Sequence, residues 1–209
     1  MPIKKRLASP THTYHVMTRG NNKAEVFHRT QDYSAYISIL KRVKRKFHLN
    51  LHHFALMPNH VHLLMGVKDL ATLSRAMKAI NFRYAMYHRD TYRNVGHIWQ
   101  GRFKSVPMYS HGQLLTCGIY IEVNPVRGGL VADVARYRWS SHRYYLGEPL
   151  SFMTDSPAVA GLGETIDSRI QRYQKLTAAW QSARRKTRRS EVEQGTIRFR
   201  QDLLGFANQ

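Results

Sequence analysis

The sequence predicts an α+β fold in which a four-stranded antiparallel sheet carries two helices on one face. Three kinds of pattern predict it: short runs of β-favouring residues, two amphipathic helical stretches between them, and polar turns at the junctions. Their order is β-α-β-β-α-β, the ferredoxin-like plan, followed by one more helix and a basic, mostly helical C-terminal extension.

The first half of this plan comes from residues 13–57. Residues 13–18 (TYHVMT) alternate and predict a strand, and a polar turn follows at 19–23. Asp32 is expected to cap a helix that extends to about His48. Residues 49–57 (LNLHHFALM) then predict the second strand.

The second half follows a tight turn at Pro58-Asn59. Strands are expected at 60–67 and 103–109, and helices at 70–89 and 113–123. Pro125 is expected to stop the last helix, because proline disfavours a helical conformation in the residue before it.

The amino-acid composition changes after residue 147, which predicts one domain over 1–147 and an extension over 148–209. Residues 148–163 are rich in small residues and proline and are typical of a linker or loop. Two helices are expected beyond them, at about 164–186 and 190–204, with a basic run between.

Charge indicates the class of partner. The 209 residues contain 33 Lys and Arg against 13 Asp and Glu, a net charge of +20, which is typical of proteins that bind nucleic acid. Cys117 is the only cysteine, so no disulfide framework forms within one chain. The chain has neither a signal-peptide core nor an apolar run of membrane-spanning length, so we expect a cytoplasmic, nucleoid-associated protein without a membrane partner.

A pair of histidines, His60 and His62, provides the first candidate for chemistry. Residues i and i+2 of a strand point to the same face, so both imidazoles project together and could share a divalent cation. A chain with 12 histidines also produces this spacing by chance. The apolar flanks (LMPNHVHLLMGV) favour a metal site, because buried imidazoles need a partner or a ligand. His52 or His53 could join the site, although a partly exposed strand histidine is the more ordinary interpretation.

Tyr120 and Asn124 provide the second candidate. At spacing i, i+4 they share one face of a helix, so an amide oxygen that completes a metal site would place the phenol one turn from the ion. A metal that neutralises the scissile phosphate would let the tyrosine attack it, giving a 5′-phosphotyrosine and a free 3′-OH. Glu122 faces another side and is interpreted by default as a surface charge, with a supporting or weak ligand role as the alternatives. Arg127 could contact phosphate or the helix C-terminus.

Three motifs in order resemble the single-tyrosine HUH transposases, and most closely the REP-associated tyrosine transposases of bacteria. They are Met57–Leu64 (MPNHVHLL), Gly96–Phe103 (GHIWQGRF) and Tyr120–Val131 (YIEVNPVRGGLV). An early Thr18-Arg-Gly20 followed by Phe27 also fits, and the resemblance covers about residues 10–146.

The resemblance implies a ferredoxin-like fold, with the histidine pair on a strand and the nucleophilic tyrosine on the helix after the sheet. It assigns Tyr120 as the nucleophile and His60, His62 and Asn124 as ligands of Mg²⁺ or Mn²⁺. Many insertion-sequence relatives carry glutamine where this chain has Asn124. The implied partner is single-stranded DNA beside a hairpin, in this branch a repetitive extragenic palindrome. We expect a monomer, with a dimer as the alternative.

A cleft for unpaired DNA needs cations, hydrogen-bonding groups and stacking surfaces. The candidates in the first domain are Arg19, Asn21, Asn22, Lys23, Arg93, Trp99, Gln100, Arg102, Lys104 and Arg127, and those in the extension are Arg184, Arg185, Lys186, Arg188 and Arg189. Trp99 could equally be a core anchor, and the basic run of the extension could equally be solvated.

Two other function classes remain open. A non-catalytic nucleic-acid binder could use the same sheet, although such sheets display aromatic residues where this chain has histidines. A metal-dependent nuclease could use water in place of the tyrosine, and it would cleave without a covalent intermediate.

Overall fold

The sheet has four strands: β1 (Thr13–Arg19), β2 (Asn50–Met57), β3 (His60–Gly66) and β4 (Lys104–Pro107). In the computed structural model, which describes residues 6–93 and 95–185, they lie in the order β2-β3-β1-β4 with every neighbouring pair antiparallel. The expected fold class is therefore confirmed, and the strand bounds agree with expectation to within about two residues.

Two long helices, α1 (Thr30–Phe47) and α2 (Leu70–Tyr92), pack together on one face of the sheet and form the larger core with it. Alternation along β3 divides the two faces as expected: Val61, Leu63 and Met65 join this core, whereas Leu64 joins a second cluster on the opposite face. Because successive side chains of a strand point to opposite faces of the sheet, the residues between these three point to the second face.

Asp32 does not cap α1 as expected. The helix begins two residues earlier, at Thr30, with Arg29 as its N-cap. The buried Asp32 carboxylate accepts hydrogen bonds from the backbone N–H groups of His28 (2.8 Å) and Arg29 (3.0 Å). The Asp32 carboxylate, in the first turn of the helix, thus accepts hydrogen bonds from the backbone N–H groups that come just before the helix.

A third long helix, α3 (His111–Arg127), covers the second face of the sheet. Its Ser110 N-cap accepts a hydrogen bond from the backbone N–H of Gln113. The helix passes through Pro125, so the expected stop before this residue is wrong. Proline disfavours a helical conformation in the residue before it but does not forbid one. The close packing of α3 on the sheet maintains the helix through Pro125 and for two more residues.

The chain after β4 and α3 stays close to the core. Of the loop expected at 148–163, residues 148–156 form a loop, but Phe152 and Met153 are buried in the larger core and the Thr154 N–H donates to the Leu51 carbonyl (2.8 Å). A short helix α4 (Pro157–Ala160) and α5 (Ile166–Arg185) then pack against α3. The division at residue 147 stays a prediction, and the helix expected at 190–204 lies outside the described residues.

Among the helices of the described residues, none has the length and apolar character that crossing a membrane requires.

A close approach between α3 and β2 at Gly118 gives a test of this packing. A Cβ at Gly118 would lie 2.5 Å from Nε2 of His53, which is itself fully buried. We expect Gly118→Ala to lower the free energy of unfolding by about 1–3 kcal/mol through overpacking. In urea denaturation, Gly112→Ala is the matched control on the same helix, because its Cβ would find only Ser110 Oγ at 3.8 Å. Equal stability of the two variants would contradict this packing.

Candidate functional site

His60 and His62 lie at the start of β3, directly after the Pro58-Asn59 turn. Their ring centroids are 4.9 Å apart and the rings are nearly perpendicular, at 82°. The Nδ1 atom of His60 lies 2.6 Å from Oδ1 of Asn59, a hydrogen bond that orients this ring. The two imidazoles therefore share one side of the strand, as the spacing predicts.

Both imidazoles are held in the neutral form. Burial, with a smaller contribution from Arg19, lowers the pKa of His60 to about 4. Burial also lowers the pKa of His62 well below its ordinary value, and His60, His15 and Arg127 add to the effect. At neutral pH each ring consequently keeps a lone pair, which is the form that binds a metal ion.

His15, on β1, contributes to this site, although no motif or spacing in the sequence indicates it. Its Nε2 lies 2.9 Å from Nδ1 of His62, and the two rings stack with centroids 5.1 Å apart. Burial lowers the pKa of His15 to about 4. The hydrogen bond fixes the orientation of the His62 ring, as partners of metal-binding histidines commonly do.

Tyr120 meets the histidines from α3. Its ring centroid is 6.0 Å from that of His62 and 6.2 Å from that of His15, and both contacts are edge-on. The guanidinium carbon of Arg127 lies 5.0 Å from the centroid of the same tyrosine ring. Packing of α3 on the sheet thus brings a phenol, two imidazoles and a guanidinium into one cluster.

Asn124 stands one helical turn beyond Tyr120 and is half-buried. Its side-chain N–H donates to the Tyr120 carbonyl at 2.9 Å, so the amide oxygen is the end that could bind a cation. The described residues contain no group of three or more His, Cys, Asp or Glu side chains that could hold a metal ion. Imidazole nitrogen and amide oxygen are ligand types that Mn²⁺ or Mg²⁺ accepts, and water or phosphate oxygens would supply the remaining ligands.

Several of the expected DNA-binding residues surround His60. The segment that follows β1 is bound to two loops: the Gly20 N–H donates to the Asn59 carbonyl (2.8 Å) and the Gln100 N–H donates to the Arg19 carbonyl (2.9 Å). A Cβ at Gly20 would lie 2.1 Å from the Ala24 carbonyl oxygen, so only glycine fits this turn. The exposed side chains in this cluster are Arg19, Asn21, Asn22, Lys23 and Gln100.

The other candidates are distributed more widely. Arg93 is exposed at the end of α2 in a left-handed conformation (φ 55°), and Arg102 and Lys104 are exposed before and at the start of β4. Trp99 is half-buried, packs 5.7 Å from the Tyr84 ring and donates its Nε1–H to the Asn81 carbonyl at 3.0 Å. These contacts make Trp99 a core anchor, and its role in DNA stacking stays a prediction.

The basic residues of the extension that are expected to contact DNA lie at or beyond residue 184, and the described residues end at 185. Arg184 and Arg185 end α5, where only their backbone is described. Lys186, Arg188 and Arg189 lie outside the described residues.

Glu122 is completely buried, so its interpretation as a surface charge is wrong. Its carboxylate accepts hydrogen bonds from His53 (2.9 Å) and His142 (2.9 Å), and the expectation of a partly exposed His53 is wrong as well. Burial alone would raise the pKa of Glu122, but hydrogen bonds from these two histidines outweigh it and lower the pKa to about 2. The group is therefore an ionised carboxylate inside the protein, flanked in sequence by the apolar Ile121 and Val123, which are the only sequence sign of its burial.

Comparison with known proteins addresses the fold and the family of the chain. The family model of IS200-like transposases matches residues 8–124, and a search of curated proteins found no match. A solved structure of a REP-associated tyrosine transposase bound to a REP hairpin has a TM-score of 0.61 at 20% identity, and the match covers 79% of this chain and 98% of that one. A putative transposase from Deinococcus radiodurans R1 matches with a TM-score of 0.41 at 18% identity, over 55% of this chain and 92% of that one. The chain belongs to the IS200-like transposase family and is a DNA-processing enzyme of that class.

Proposed function

We propose that this protein is a metal-dependent endonuclease and strand transferase that cuts and rejoins single-stranded DNA through Tyr120. The observation that carries the proposal is the contact between the Tyr120 ring and His62 across the interface of α3 and the sheet, with Arg127 over the same ring. Residues distant in sequence thus supply a nucleophile, neutral imidazoles and a cation at one point.

The reaction needs few groups. The Tyr120 oxygen attacks the scissile phosphorus, a Tyr–O–P bond forms, and the bond between phosphorus and the 3′ oxygen breaks. The phenolic proton passes to solvent, and the departing 3′ oxygen takes up a proton. The products are a 5′-phosphotyrosine and a free 3′-OH, and attack by a second 3′-OH reverses the step without an external energy source.

The metal-binding residues in this proposal are His60, His62 and the amide oxygen of Asn124, and the ion is Mg²⁺ or Mn²⁺. When bound, the ion would neutralise and position the scissile phosphate, which compensates for the weak nucleophilicity of a phenol. The hydrogen bond between His15 Nε2 and His62 Nδ1 holds the His62 ring in place, and the Arg127 guanidinium stands where it could contact a phosphate oxygen beside Tyr120.

The proposed substrate is single-stranded DNA beside a small hairpin of the REP type. Two observations support it: the protein of similar fold that was solved with a REP hairpin, and the exposed Arg19–Lys23 segment next to His60. Arg93, Arg102, Lys104 and the basic residues 184–189 would extend the phosphate contacts, which makes binding strongly salt-dependent.

We also propose that the monomer is the active form. The Tyr120 ring already lies beside His62 of its own chain, so one chain can supply the histidines and the nucleophile together.

Removal of the nucleophile tests the covalent step. Tyr120→Phe should abolish the adduct that forms with Mg²⁺ and a labelled hairpin oligonucleotide, detected on a denaturing gel, because phenylalanine lacks the attacking oxygen. Tyr109→Phe, at an exposed tyrosine just before α3, is the matched control and should keep the adduct. Cleavage without any adduct would indicate a nuclease that uses water, and tight metal-independent binding without cleavage would indicate a non-catalytic binder.

Metal binding gives a separate readout. We expect His62→Ala to weaken Mn²⁺ binding by about 10–100-fold or more, measured from the electron paramagnetic resonance signal of the free ion, because it removes one of two nitrogen ligands. His48→Asn is the control, since this exposed histidine ends α1 in a left-handed conformation that asparagine tolerates. Unchanged Mn²⁺ affinity in His62→Ala would refute the ligand assignment.

A further inference from the structure

The Glu122 carboxylate lies on α3, two residues from Tyr120, and every acceptor position on it is used. Oε1 accepts from His53 Nδ1 (2.9 Å) and Ser141 Oγ (2.6 Å). Oε2 accepts from His142 Nδ1 (2.9 Å) and the Tyr173 hydroxyl (2.8 Å). A carboxylate offers about four lone-pair positions, so these contacts saturate it.

The donors come from three separate parts of the chain. His53 lies on β2, Ser141 and His142 lie at a short 3-10 segment, and Tyr173 lies on α5. All of these side chains are buried. These segments are distant from one another along the chain but meet at one carboxylate. Hydrogen bonds to Glu122 therefore connect both β2 and the C-terminal part of the chain to α3.

Apolar packing alone would hold α3 on the sheet but would not fix its rotation, because hydrophobic contacts have little directional preference. Hydrogen bonds to a charged acceptor are both directional and strong. Residues two apart on a helix point about 200° away from each other. Glu122 therefore faces β2 and α5 while Tyr120 faces His62. Because both side chains belong to one helix, a rotation of the helix that moves one of them also moves the other.

We propose that Glu122 is a positioning residue for the cleavage reaction: its four hydrogen bonds fix the rotation of α3 and so hold the Tyr120 oxygen at the scissile phosphate. This inference rests on the role proposed above for Tyr120. A side-chain tip lies roughly 5–6 Å from a helix axis, so a rotation of ~10° displaces it by about 1 Å. A misplacement of about 1 Å can cost about 100-fold in rate.

The test separates positioning from stability by measuring single-turnover adduct formation as a function of hairpin DNA concentration, with Mg²⁺ and well below every melting temperature. Glu122→Gln keeps the shape of the side chain but turns one acceptor oxygen into an N–H donor that faces other donors. We expect its maximal rate to fall about 100-fold. The half-saturating DNA concentration should change by less than about twofold, because the interaction lost acts on the reacting geometry and not on binding.

Val43→Ala is the matched control for stability. Val43 is buried in the core on the other face of the sheet, within α1, and has no part in the site. We expect it to lower the melting temperature while it leaves the maximal rate unchanged. Tyr173→Phe removes a single donor with the ring retained, so its rate should fall by less than that of Glu122→Gln. It also serves as the test variant if Glu122→Gln does not fold.

Each outcome decides the question. A slow Glu122→Gln, or a slow Tyr173→Phe in its place, with a normal Val43→Ala supports positioning. A wild-type rate in the test variant, or an equal loss of rate in Val43→Ala, overturns positioning and leaves the proposed function intact. A wild-type protein that forms no Tyr120-dependent adduct overturns the proposed function and the positioning role with it.

Discussion

The packing of α3 against the second face of the sheet determines both the second core and the arrangement of the site. One face is closed by α1 and α2, as in many α+β folds, but the other would expose Ala55 and Leu64 without α3. The helix also carries an ionised carboxylate into that interface, where four hydrogen bonds compensate for its loss of water. Fold and site are therefore built by the same interface.

The strand period and the position of α3 are enough to place the side chains of the site. The strand period places His60 and His62 on the face that α3 covers, and α3 brings Tyr120 to the edge of the His62 ring. Burial keeps both imidazoles neutral, which removes cationic charge from the place where the proposed metal ion would bind. The imidazoles thus add no positive charge to that of Arg127 at the centre, and the exposed Arg19 and Lys23 beside it can attract phosphate.

The sequence predicts the features that depend on local periodicity. Alternation along β3 and the i, i+4 spacing of Tyr120 and Asn124 need only the geometry of one strand or one helix, and the order of elements gives the sheet. The His15 contact and the Glu122 network escape prediction because they join strands and helices that are distant along the chain. The predictions for Pro125 and Asp32 are wrong for a related reason, since tertiary packing overrides a weak local preference.

We propose that one chain contains the whole centre, with α3 holding Tyr120 beside its own histidines. Mixing the His62→Ala and Tyr120→Phe proteins, each inactive alone, tests it most directly, with wild type as the positive control for adduct formation on a labelled hairpin oligonucleotide. If each chain uses its own tyrosine and histidines, the mixture should form no adduct, because neither chain has both halves. Restored adduct formation would show that the tyrosine of one chain serves the histidines of another, and would contradict it.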